Sequence, residues 1–214
     1  MISGYLTYSS DSNIDYYGAI GLKKHAPVGE IKRRIAILFK AAHPDNGGSQ
    51  QRLAQVLEIK EILLNPMNRE IYDKTGMTKH DIEKVAAEFT NNMIVLYAQG
   101  IDNEADMHQV LYNTYNDSLT GKQNELKDLK KKIANVEKLL DEIEADNILT
   151  NMIFTQMSAA KRELDAGKIM LDTAIKSLTG KLVLCRMIKL KTKMKAVQQF
   201  RWSNTTSSST NARW

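Results

Sequence analysis

An imidazole and a carboxylate flank a proline at His43, Pro44 and Asp45, within the stretch KAAHPDNGGS (residues 40–49). Such a pair can relay a proton, join a metal site if further ligands converge, or present a hydrogen-bond donor and a charge to another molecule. The rest of the chain narrows this choice. His25, His80 and His108 lack the clustered Cys or carboxylate spacing of a metal site, and no nucleophile–base pair or phosphate loop is recognisable. The sequence therefore reads as that of a non-enzyme with no cofactor and no metal, which leaves open why a turn should carry an imidazole and a carboxylate at its tip.

The elements around the triplet must hold it at a tip. Proline lacks a backbone N–H and biases its predecessor away from helix, so the helix over about 28–41 should end near Ala42. Gly47 and Gly48 let the chain reverse, and the Ser49 hydroxyl can cap the next helix, over about 49–64. The turn thus joins two antiparallel helices. Before them, DYYGAIGL (15–22) reads as a helical turn capped by Asp15, and Pro27 stands near a helix start, where a missing N–H is harmless. After them, Pro66 opens a short helix that Gly76 closes.

These segments, in this order, resemble the J-domain of the DnaJ family: D-Y-Y-x-x-x-G-L, then an E-I-K helix running into H-P-D, then I-L-x-x-P-x-x-R-x-x-Y-D-x-x-G. The resemblance covers residues 15–76. It implies a helical bundle in which helices two and three form an antiparallel hairpin with H-P-D in the loop, docking on a DnaK-type (heat shock protein 70) ATPase chaperone and stimulating it. His43, Pro44 and Asp45 would be the stimulating triplet, and Lys32, Arg33 and Lys40 the basic face of helix two. Tyr16, Tyr17, Leu22, Ile31, Leu38, Leu53, Val56, Leu63 and Tyr72 read as core, and Arg69 with Tyr72 and Asp73 as a tie between the last helix and the bundle.

Departures from the family pattern are informative. Ile35 stands where a tyrosine is common, and Ala36 and Ile37 where a basic pair is common. An isoleucine on that face suggests a cover, with part of residues 77–200 packing over it and masking the docking surface. Neither a Gly/Phe-rich linker nor a C-x-x-C-x-G-x-G repeat follows, so the chain resembles the J-domain-only class with a specialised C-terminal region.

Residues 77–118 read as a helical linker region, with glycine stops at Gly100 and near Gly121. Apolar residues then recur in three- and four-residue steps from Leu119 through Ile133 to Ile143, and again, out of register, from Ile153 to Leu178. The slip at 144–149 is met either by a stutter in a coiled coil or by a turn into an antiparallel helical hairpin, the reading favoured here for 119–180. Either arrangement buries a seam within the chain or between chains, so residues 119–178 are candidates for self-association.

Beyond Gly180 the chain turns basic. Residues 181–214 hold eight of the 30 Lys and Arg and no Asp or Glu, leaving 22 basic against 25 acidic residues before them. A basic helix over 181–202 with Lys189, Lys191, Lys193, Lys195 and Arg201 is a candidate nucleic-acid or membrane contact, and 203–214 a disordered tail. Residues 1–14 read as a flexible arm.

Composition sets the outer bounds. Across 214 residues, 43% hydrophobic and 26% charged content suits a globular core, while 3 Pro and 7% aromatics lean towards an all-α fold. No signal peptide, transmembrane segment or disulfide is expected from the sequence, with its single Cys185, which favours the cytoplasm. The expected function is that of a co-chaperone adaptor recruiting a DnaK-type chaperone to an unknown client bound by the C-terminal helices. The alternative is a nucleic-acid-associated or viral assembly factor whose basic C-terminal helix is the main binding element.

Overall fold

The computed structural model describes residues 15–100, 104–144 and 147–187. Among these residues there are seven α-helices and no strand, so the fold is all-α as expected. α1 (Tyr16–Ala19) begins where the Asp15 carboxylate accepts the Gly18 amide at 2.9 Å. α2 (Val28–Ala42) and α3 (Gln50–Leu64) are joined by the turn that carries His43–Ser49. α4 (Pro66–Thr75) is capped by Asn65, whose side-chain oxygen accepts the Met67 and Asn68 amides, and it stops at Gly76 in the left-handed region. α5 (Lys79–Ala98) opens with a reciprocal cap between Thr78 and Asp81.

The two long helices follow. α6 (Glu104–Glu142) passes straight through Gly121, where the sequence suggests a stop. A glycine inside a helix costs only about 1 kcal/mol, which a helix of this length absorbs. α7 (Ile148–Met187) returns antiparallel to α6: His108 meets the Cys185 carbonyl, Leu129 lies against Gly167, and Glu137 pairs with Lys161 at 2.9 Å. Ile133 is buried between the two helices, with Leu126, Leu129 and Val136 half-buried along the same seam.

One continuous core runs from the first helices into the hairpin. Tyr16, Tyr17, Ile31, Ile59, Ile62 and Tyr72 anchor one end, and Val85, Phe89, Met107, Tyr115, Val183 and Leu184 the other. The described residues of 77–118 thus include members of the core: Met77, Ile82, Val85, Phe89, Met107, Leu111 and Tyr115. The helix start expected after Gly180 is also absent, because residues 181–187 are the last two turns of α7, whose Val183, Leu184 and Cys185 are buried in the core shared with α4 and α5. Gly180 is there for close approach: a Cβ on it would lie 3.2 Å from Val85 Cγ1 and 3.6 Å from Ile71 Cγ2. Lys189, Lys191, Lys193, Lys195 and Arg201 lie outside the described residues.

The expected cover over α2 is not present among the described residues. Ile37 remains 52% exposed, and α7 seats on α4 and α5 instead.

Candidate docking site

α2 ends at Ala42 because His43 adopts an extended backbone (φ −66°, ψ 135°) before Pro44. Pro44–Asn46 then make one 3-10 turn, in which the missing proline N–H leaves nothing unsatisfied. The turn is closed by its own backbone. The His43 carbonyl accepts both the Asn46 and Gly48 amides at 3.0 Å, and the Pro44 carbonyl accepts the Gly47 amide at 3.0 Å. Asn46 donates its side-chain amide to the Lys40 carbonyl at 2.8 Å, stitching the turn to the last turn of α2. Two glycines make this geometry possible: Gly47 has φ 80°, and a Cβ on Gly48 would overlap the backbone of Ala42. Ser49 caps α3 by accepting the Arg52 amide at 3.3 Å.

This frame fixes what the tip presents. His43 Nδ1 accepts the Asp45 amide at 3.3 Å, which leaves Nε2 as the proton-bearing nitrogen of a neutral ring. The same Nδ1 lies 3.4 Å from Asp45 Oδ2, so a protonated ring can turn its Nδ1–H to the carboxylate. Phe39, one turn earlier, flanks the imidazole at 6.5 Å between ring centres. The Asp45 side chain is 86% exposed, with its charge directed away from the bundle. A display of this kind suits a charged partner surface and holds no reactive group in a closed pocket.

Lys32, Arg33, Ala36, Ile37 and Lys40 are all exposed and share one face of α2, which leads towards the turn. Three cations surround one apolar side chain. Arg34 is different: its Nε donates to the Ile20 carbonyl at 2.8 Å, so it holds α1 to α2. Ile35 points inward and is buried. Among the described residues, no group of three His, Cys, Asp or Glu converges to hold a metal ion.

Behind the face, a polar tie holds α4 to the N-terminal turn. Arg69 Nε donates to the Tyr17 hydroxyl at 2.8 Å, and Arg69 also donates to the Ala26 carbonyl at 2.6 Å. Tyr17 donates to Asp73 at 3.0 Å, and the Tyr72 hydroxyl accepts the Tyr16 amide at 3.1 Å. Burial pushes the Tyr17 and Tyr72 phenols above their ordinary value, so both remain neutral donors.

The sequence reading missed the second anchor of the site. α7 fixes the bundle through buried Val183, Leu184 and Cys185, with Lys181 paired to Glu88 at 2.7 Å and Arg186 to Glu70 at 3.1 Å. The available signal was LVLC after Gly180, a run of four apolar residues where an amphipathic surface helix would show alternation.

The family model of the DnaJ domain matches residues 15–73. Over that region the chain is 35% identical across 68 residues to DnaJ homolog subfamily B member 6 of Gallus gallus, covering 29% of this chain and 21% of that one. It is 40% identical across 65 residues to the chaperone protein DnaJ of Mycoplasmopsis pulmonis, covering 29% and 17%. A DnaJ protein homolog of Cucumis sativus is 33% identical across 64 residues, covering 30% and 16%. The chain thus spans 21% or less of the length of these relatives. No solved structure matches it.

Proposed function

We propose, from the premise that this chain carries a DnaJ domain at residues 15–73, that it recruits a DnaK-type ATPase chaperone and stimulates its ATP hydrolysis. The observation that carries this reading is the His43–Asp45 turn: rigid in its backbone, free in its carboxylate, and continuous with the cations of α2. An acidic patch on the ATPase would meet Lys32, Arg33 and Lys40, and Asp45 would pair with a basic group at the edge of that patch. Pro44 sets the angle between them. Long-range attraction of this kind speeds encounter and weakens with salt.

The C-terminal hairpin supplies the second function, holding a client or an assembly. Because α7 shares a core with α4 and α5, a cargo on the hairpin keeps a defined distance from the turn. That geometry suits delivery of a bound protein to an ATPase docked on α2. A nucleic-acid role rests only on the composition of residues 189–201, and no observation among the described residues favours it. No helix among the described residues is long and apolar enough to cross a membrane.

The test is single-turnover ATP hydrolysis by a DnaK-type chaperone with the full chain added. Acceleration is expected, falling to the unstimulated rate with His43→Gln and with Asp45→Asn at unchanged helicity. Equal acceleration by all three proteins would remove the reading.

A further inference from the structure

The proline of the turn leaves a vacancy at the end of α2. A helical carbonyl accepts from the amide four residues on, and for Lys40 that residue is Pro44, which has no N–H. Asn46 supplies the missing donor, its side-chain Nδ2 reaching the Lys40 carbonyl at 2.8 Å. A carbonyl only accepts, so the nitrogen of the amide and not its oxygen faces it. The bond is exposed, and water can take the same place. Satisfying the carbonyl therefore does not require Asn46. What the side chain adds is direction.

Direction is what the tip otherwise lacks. Pro44 confines His43 to the extended region, but that region spans ψ of about 120 to 160°. The backbone bonds from the Asn46 and Gly48 amides to the His43 carbonyl, and from the Gly47 amide to the Pro44 carbonyl, all lie beyond the rotating His43 Cα–C bond. They keep the shape of the turn and leave its tilt on α2 free. Gly48, packed against the Ala42 backbone, holds only the far end. The imidazole restrains the tilt through Nδ1, which accepts the Asp45 amide at a long 3.3 Å. That same Nδ1 lies 3.4 Å from the Asp45 carboxylate, so protonation of the ring breaks the restraint. The Asn46 bond is shorter, runs from the tip to the last turn of α2, and does not depend on the imidazole.

We infer that Asn46 is a positioning residue for chaperone stimulation: its side-chain amide, tied to the Lys40 carbonyl, sets where Asp45 stands relative to the cations of α2. The inference rests on the chaperone reading above. On that reading Lys32, Arg33 and Lys40 choose the pose on the ATPase, and Asp45 must then reach a basic group within ~4 Å. A tip already tilted correctly is in place when the cations dock, whereas a loose tip is in place for a fraction of the time. Asn46 lies outside the His-Pro-Asp triplet and acts through Asp45.

The test uses the full chain and a DnaK-type chaperone. Asn46→Ala should lower maximal stimulation about fivefold, the value of one hydrogen bond. The protein needed for half-maximal stimulation should stay within about twofold, because the cations are untouched. In the free chain, nitrogen-15 relaxation should show the Asp45 amide order parameter falling from about 0.85 to below about 0.6. The melting temperature should hold, since water replaces an exposed bond. Equal maximal stimulation by wild type and Asn46→Ala would overturn the inference and leave the chaperone reading standing. A raised half-maximal concentration with an unchanged maximum would also overturn it, making Asn46 a contact with the partner. A melting temperature that fell in step with stimulation would overturn it as well and make the residue structural. No acceleration by the wild type would remove both readings.

Discussion

Gly180 of α7 stands so close to Val85 of α5 that a Cβ on the glycine would lie 3.2 Å from the valine Cγ1. This contact joins the hairpin to α5, with Ile71 of the DnaJ domain 3.6 Å from the same point, and it is tight because one partner has no side chain. Gly180→Leu should therefore force α7 off α4 and α5, at a cost of about 1–3 kcal/mol. In a chain of this size that lowers Tm by roughly 2–4 °C per kcal/mol. Gly180→Ala is expected near neutral, since its gain in helix propensity, about 1 kcal/mol, offsets a shift of Val85 by a few tenths of an ångström. Calorimetry on the two variants separates these outcomes.

Arg69 ties three elements together, and its loss should be felt beyond one hydrogen bond. Arg69→Met would leave the Ala26 carbonyl without this donor and would take the guanidinium from beside Asp73, which is mostly buried and would keep the Tyr17 hydroxyl and the His25 ring as neighbours. The expected cost is about 2 kcal/mol. Arg69→Lys should not rescue it, because one ammonium cannot reach the Tyr17 hydroxyl and the Ala26 carbonyl together. Urea denaturation monitored by tyrosine fluorescence measures both.

Cys185 offers a pH-dependent readout of the hairpin anchor. Burial pushes its thiol up from 9.0 to about 11, so the thiolate needed for alkylation is suppressed in the folded chain. Labelling at pH 8 should be slow in the native protein and fast in urea. The folded state holds this proton more tightly than the unfolded state does. Its contribution to stability is accordingly complete below about pH 9 and lost as pH rises through about 11. Raised Tyr17, Tyr72 and Tyr115 phenols act in the same direction. A stability that increased from pH 9 to 11 would contradict the burial.

Ile133 tests the hairpin seam by itself. It is buried between α6 and α7, nine residues from the end of α6 and so towards the hairpin tip. Ile133→Asp should cost several kcal/mol in the hairpin, because a carboxylate there has no partner. Loss of helical signal in a separate, earlier transition would show that the hairpin opens before the DnaJ domain. Unchanged melting would mean that water reaches the seam.

What could be read from the sequence depended on how local its cause was. Pro44, Gly48, Ser49, Asn65 and Gly76 act within a few residues of themselves, and each cap and turn stands where its chemistry puts it. The tie from α4 was legible in part: Arg69 and Asp73 stand four residues apart beside Tyr72, whereas Tyr17, read only as core, joins them through a contact 52 residues away in sequence. Gly180 misled because a glycine that permits close packing and a glycine that stops a helix are the same letter. Lys181 and Arg186 looked like the start of a free basic helix, yet Glu88 and Glu70 engage them across a tertiary contact. Ile37 suggested a cover that the described chain does not supply, since one exposed isoleucine is affordable on any surface.

That exposed isoleucine carries the last prediction. Ile37 lies on the same face as Lys32, Arg33 and Lys40, at a position where the DnaJ-family pattern favours a basic residue. Its side chain is about half exposed to water, so Ile37→Lys should change stability by less than about 0.5 kcal/mol. It would add a fourth cation to the α2 face proposed to dock on an acidic ATPase surface. On the docking reading, half-maximal stimulation of a DnaK-type chaperone should then need a few-fold less protein at low salt. The gain should shrink at 0.5 M salt, where the Debye length falls to about 4 Å. Maximal stimulation should stay the same, because the proposed function assigns that step to His43 and Asp45. A titration in which Ile37→Lys instead raised the protein needed would mean that the isoleucine is itself a contact, matched to an apolar spot on the partner.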